Sequence, residues 1–233
     1  MPRSSPGAEL RARGGLRRLD LSLLVFGLLL ATLLVLVVNP LARLVWDSLH
    51  SATGDWSLHN YADTLGKARP VKAMLMSMGL GGAVTVIALA LGVPLALGVS
   101  RTNMPARGYT HLSVMAAFVM PPFLGAIAWI LLAGPNAGWL NRAWLAVFGG
   151  EHGPFKVFSF WGLAFVIALY AFPLVYVFTR SALDLISSEM EEAAAIQGAG
   201  KLMVLRKVTL PLALPAMLGA AILVFLESVA LYG

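Results

Sequence analysis

The stretch EEAAAIQGAGKL, residues 191–202, decides how this chain is read. Its Gly-Ala-Gly-Lys end looks like the tail of a phosphate-binding loop. Such a loop needs G-x-x-x-x-G-K-[ST] behind a strand, because glycine amides cradle the phosphates and the last hydroxyl holds Mg²⁺. Counting back from Gly200, position 195 is alanine; position 202 is leucine, and no buried strand precedes it. The nucleotide reading fails on all three counts. Read as a helix, the stretch makes sense. Ser188 and Glu191 form S-x-x-E, a capping box. Glu189, Glu191 and Glu192 place carboxylates where a helix N-terminus favours them. Ala193, Ala194 and Ala195 add helix propensity with little bulk. Gly198 and Gly200 let the chain stop and turn. The next residues, KLMVLRKV, predict a second short helical turn with Leu202 and Leu205 on one side. Leu210-Pro211 is expected to end it and open the next segment. Residues 181–211 therefore read as a helix-turn-helix elbow with a flat alanine face that another protein could approach.

What surrounds the elbow is too apolar for water. The 233 residues are 59% hydrophobic and 12% charged, with a mean hydropathy of +0.81; soluble domains carry about 25% charged residues. A chain of this size cannot bury that much apolar surface, so the bilayer is its solvent. The net charge of +6 is spread along the sequence, which argues against a nucleic-acid surface. Without cysteine, disulfides and thiolate chemistry are excluded.

Crossing about 30 Å of hydrocarbon takes about 20 apolar residues in a helix. Five runs qualify, at about 21–42, 74–99, 111–133, 158–178 and 212–231, within a membrane domain spanning 21–233. They are apolar throughout, where barrel strands would alternate. The expected fold is all-α and integral to the membrane. The basic segment 1–20 precedes a first run too long for a signal peptide's apolar core, which makes that run a retained anchor. Pro94, Pro121, Pro122, Pro173 and Pro215 fall inside runs, where neighbouring helices can satisfy the freed carbonyls. Gly79 with Ala83, and Gly92 with Ala96, predict close helix packing. With the N-terminus in the cytoplasm, eleven basic residues lie inside (Arg3, Arg11, Arg13, Arg17, Arg18, Arg101, Arg107, Arg180, Lys201, Arg206, Lys207). Six lie outside (Arg43, Lys67, Arg69, Lys72, Arg142, Lys156), so this orientation obeys the positive-inside rule and puts the elbow in the cytoplasm. Trp139 and Trp144 are expected at headgroup level.

Glu192-Ala193-Ala194, then Gly198, then Val208-x-Leu210-Pro211 resembles the EAA loop of binding-protein-dependent ABC transporter permeases of type I. Val208 stands where the family pattern has isoleucine. LHNYADTL (58–65) is similar to the segment that opens the core of such permeases. MPPFLGAIAWILLAGPNAGWLNR (120–142) and FLESVALYG (225–233) resemble the ferric-iron subgroup, whose relatives handle thiamine, polyamines, sulfate or phosphonates. The resemblance implies a bundle of about five transmembrane helices in a bacterial inner membrane. It implies three kinds of partner: a cytoplasmic ABC ATPase dimer gripping the elbow, a periplasmic or other extracytoplasmic solute-binding protein, and a second permease half. It also implies that ATP is hydrolysed by the partner and not by this chain. By the family pattern Glu192 anchors the first elbow helix and Ala193 and Ala194 make the close contact. Gly198 allows the bend, and Leu210-Pro211 couples the elbow to the fifth span. Family members carry a further helix, so a chain stopping at Gly233 is expected to be the amino-terminal part of a longer permease.

Glu227 is the one acidic residue deep in an apolar run, and a charge at mid-bilayer costs at least about 2.5–3.5 kcal/mol. It is expected either to line a solute path or pair with another helix, or simply to reach water near the end of its span. His50, His59, His111 and His152 are scattered, so no metal site, cofactor or catalytic constellation is assigned. An ion-driven secondary transporter and a membrane enzyme are the competing classes. Several buried charges would support either, and Glu227 stands alone.

Overall fold

The computed structural model describes residues 21–51 and 54–231; the basic segment 1–20 lies outside the described residues. Regular structure among the described residues is helical, apart from one isolated bridge between His50 and Trp56. The chain divides into two compact units, Met1–Val71 and Lys72–Gly233.

In the first unit α1 (Leu21–Leu33), a π-helical turn (Leu34–Val38) and α2 (Asn39–Ser48) make one continuous apolar rod. The expected span thus runs six residues further, to Ser48. The π turn sits just ahead of Pro40, whose ring would crowd the carbonyl four residues back. Asn39 N–H donates to Leu34 O instead, at the wider π spacing. Asn60, on α3 (His59–Gly66), caps the rod by donating to the carbonyls of Asp47, Ser48 and His50 at 3.0–3.3 Å. Trp46, His50 and Trp56 stack beside it. Lys67 donates to Asp63 at 2.7 Å, and this hydrogen bond and charge hold the Asp63 carboxyl below its ordinary range.

In the second unit α4 (Ala68–Arg101), 34 residues and about 51 Å long, packs with α8 (Phe160–Leu185) and α11 (Leu210–Ala230). Their seam is built of small residues: Ala88, Ala164, Ala168 and Ala220 are fully buried. Lipid is as apolar as a side chain, so these helices associate through close van der Waals fit rather than by escaping water. Gly92 and Ala96 are buried as expected, and a β-carbon at Gly92 would sit 2.8 Å from Val175 Cβ. Gly79 is exposed; the second close approach falls at Gly81, against Val229 and Phe225. All three buried clusters draw on α8.

The third run, expected as one span over 111–133 with Pro121 and Pro122 inside it, is sharply bent. It is two helices, α5 (Arg107–Val119) and α6 (Pro122–Ala133), bent by 101°. Each proline pushes the residue before it out of the helical region. Met120 (ψ 127) and Pro121 (ψ 125) are both extended, so the helix stops. α6 then lies along the N-terminal half of α8, where a β-carbon at Gly125 would overlap the Tyr170 ring. The pair still makes one broken crossing. Arg101, ending α4, meets the C-terminus of α8, so those two helices run parallel and α5–α6 must carry the chain back between them. Among the described residues four helices are long and apolar enough to span a membrane, or five with the bent pair taken as one span.

At the end away from the elbow, α7 (Trp139–Phe148) carries the buried Asn141. Its amide donates to Gly134 O and Phe155 O and accepts from Phe155 N–H, all at 2.9–3.0 Å. Trp139 and Trp144 are exposed.

Candidate functional site

The elbow begins at α9 (Ser188–Ile196). Its cap is Ser187, whose hydroxyl accepts from Glu189 N–H at 3.2 Å, one residue ahead of the serine predicted. Ser188 has already entered the helix. Glu189 and Glu191 occupy the first turn, as expected. The C-terminus closes with Ala199 N–H on Ala194 O (3.1 Å) and Gly198 N–H on Ala195 O (2.9 Å). This paired closure needs a left-handed residue, and Gly198 supplies it at φ +86. Gly200 is extended (φ −69, ψ 158), so the turn uses one of the two predicted glycines for its conformational freedom.

Leu210-Pro211 does not end the second helix. From α10 (Lys201–Val204) through a π turn (Leu205–Thr209) into α11, the chain runs as one rod from Lys201 to Ala230. Leu210 N–H reaches back to Leu205 O, and the widened turn makes room for the Pro211 ring. The elbow is therefore rigidly continuous with the last span.

α9 has two faces. Glu191 and Ala194, three apart, are half-buried toward the bundle. Ala193 and Ile196 are exposed on the opposite side, Ile196 at 87%, and Glu192 is exposed at the edge between the two faces. Ile196 escaped the sequence reading, although its spacing from Ala193 puts it on the same face. Val208 and Leu210 are half-buried and Pro211 is exposed at the root of α11. Glu227 lies far from the elbow, exposed on the last turn of α11, whose buried residues are Ala213, Ala220, Val224 and Ser228.

The inward face of α9 is tied by Arg101. Its Nη2 donates to Leu183 O (2.7 Å) and Ile186 O (3.0 Å) where α8 ends; Leu183 O also accepts the capping N–H of Ile186. A cation there also complements the helix C-terminus. Its Nε lies 3.0 Å from Glu191 Oε1, pairing the charges although that N–H is not aligned for a hydrogen bond. The same oxygen accepts from Thr209 Oγ1 at 2.8 Å. A cleft of about 470 Å³ opens beside this cluster, lined by Leu97, Arg101, Glu191, Glu192, Lys201 and Thr209 among others. Nearby, the fully buried Tyr176 hydroxyl meets His111 Nδ1 (3.1 Å) and accepts from Arg180 Nη1 (3.3 Å), and Arg180 pairs with Asp184 (3.4 Å). No group of three or more potential metal ligands occurs among the described residues.

Residues 88–232, which include the whole elbow, match the family model described as binding-protein-dependent transport system inner membrane component. A Salmonella typhi protein named as the 2-aminoethylphosphonate transport system permease PhnU is 30% identical over 198 residues, 84% of this chain and 68% of its own length. A Haloferax volcanii protein named as a molybdenum ABC transporter permease is 30% identical over 150 residues, 64% of this chain and 52% of its own. The chain thus spans about half to two thirds of the length of these relatives. A bacterial alginate ABC transporter, solved with an alginate pentasaccharide-bound periplasmic protein, shares the fold at a TM-score of 0.64 and 15% identity over 84% of this chain and 69% of that one.

Proposed function

Since the chain belongs to the binding-protein-dependent transport system inner membrane components, we propose that it is the membrane-spanning subunit of an ATP-driven importer. In this reading a cytoplasmic ABC ATPase dimer docks on the elbow, a solute-binding protein delivers cargo at the other face, and a second permease half completes the pore. The N-terminus and elbow lie in the cytoplasm, the orientation that the excess of basic residues on that side favours. ATP is hydrolysed by the partner. One observation carries the reading: α9 is fastened to the bundle on one side while Ala193 and Ile196 stand free on the other. A helix fixed behind and bare in front is suited to being gripped.

The relatives above are named for 2-aminoethylphosphonate and molybdenum, so a small oxyanion, a phosphonate or molybdate, replaces ferric iron as the proposed cargo. Uptake of each by cells carrying the whole system, with and without this chain, tests the cargo. Docking is tested in native vesicles, using the absence of native cysteine. Ile196→Cys should crosslink to the ATPase, and Ala193→Trp, on the same exposed face, should leave ATP hydrolysis running while transport stops. Absence of any ATPase adduct at Ile196→Cys would discard the docking assignment.

A further inference from the structure

We infer that Arg101 is a positioning residue for transport: it makes α4 follow the elbow. The inference rests on the importer reading. The chain itself links the elbow to α8 and to α11, but α4 is remote in sequence, and Arg101 reaches across 82 and 85 residues to the carbonyls ending α8. Through Glu191 it also holds α9, and Glu191 in turn holds Thr209 in the π turn at the root of α11. One guanidinium therefore gathers four elements at one point. Elsewhere α4 packs through apolar residues, among them Leu80, Gly81, Val84, Ala88 and Gly92. Apolar packing resists separation but carries no directional bond, and packed helices can shift against one another by small shear movements. A forked, hydrogen-bonded cation resists sliding, because its donors fit fixed acceptors. The pair is also sheltered, with the two side chains 21% and 23% exposed, so it escapes the screening that weakens surface pairs. Without it, a pull on the elbow would move α11 and leave α4 behind.

The test uses the full transporter in liposomes, with ATPase, second permease half and binding protein, and spin labels at Val86→Cys on α4 and Ile222→Cys on α11, both exposed. A third label at Ala195→Cys, also exposed, reports the elbow. On trapping with ATP and vanadate, the unmodified clamp should keep the α4–α11 distance unchanged while the elbow label responds. Arg101→Gln should let that distance change by several ångströms, and Arg101→Lys should fall between. Glu191→Ala spares the Arg101 bonds to α8 and cuts both ties made by Glu191, to Arg101 and to Thr209; it should behave like Arg101→Gln, while Thr209→Val, which cuts the second tie alone, should match the parent. If Arg101 serves only as a cap on α8, Glu191→Ala will match the parent, and the inference falls. If the elbow label ignores nucleotide even with the clamp intact, the importer reading falls with it.

Discussion

Two proline-bearing stretches of this molecule end differently. At Met120-Pro121-Pro122 the helix breaks and turns by 101°. At Thr209-Leu210-Pro211 it continues, widened by a single π turn. The difference is the number of residues forced out of the helical region. A lone proline disturbs one predecessor and one carbonyl, and a turn of π spacing absorbs both: Leu210 stays helical at ψ −45, as Asn39 does ahead of Pro40 at ψ −49. Two adjacent prolines restrict two consecutive predecessors, and no widened turn accommodates that. One stretch becomes a bend that lays α6 along α8; the other remains stiff between elbow and span.

The comparison can be broken most severely by Leu210→Pro, which copies the 121–122 arrangement into the elbow root. A proline inside a helix costs about 3 kcal/mol or more. The rod Lys201–Ala230 should break, seen as a lower melting temperature in detergent and loss of ATP-coupled transport. Next is the reverse change, Pro121→Ala with Pro122→Ala. The bend should open, measured as a longer distance between labels on Tyr109→Cys and Ile130→Cys. The packing of Gly125 and Ala133 on α8 should be lost, at about 2 kcal/mol, the lower range for emptying a core site. A smaller effect is expected from Pro211→Ala. The π turn should relax to α spacing and rotate Thr209 by about 100°, away from Glu191. Losing a bond to a charged acceptor costs about 1.5–3 kcal/mol, partly offset by better helix propensity, so a net loss of about 1 kcal/mol is expected in thermal melts. Smallest is Pro40→Ala, which should relax a π turn whose residues are all exposed. Its melt should shift by no more than about 0.5 kcal/mol, the range for surface changes.

Much of this was legible in the sequence because lipid imposes length: twenty apolar residues declare a span whatever their order. The doubled proline marked the place of the bend but not its size, since hydropathy does not register direction. At the elbow Gly198 was legible because the closure demands a left-handed residue. Ser187 and Ser188 are equally good caps by type, and only the backbone path chooses between them. The motif Glu192-Ala193-Ala194 was visible, but which side of it faces out was not. The partner of Glu191 was least accessible: Arg101 lies 90 residues away, at the far end of another helix, and nothing in its local sequence marks it.

The place of α8 in all three buried clusters has a consequence for how this chain tolerates change in length. Loops can gain or lose residues without altering which side chains meet. A single residue inserted near Ala171 would turn one half of α8 by about 100° against the other. Val166 and Tyr176 would then no longer both find their neighbours. Insertion scanning along the molecule should therefore find its deepest minimum at the middle of this one helix.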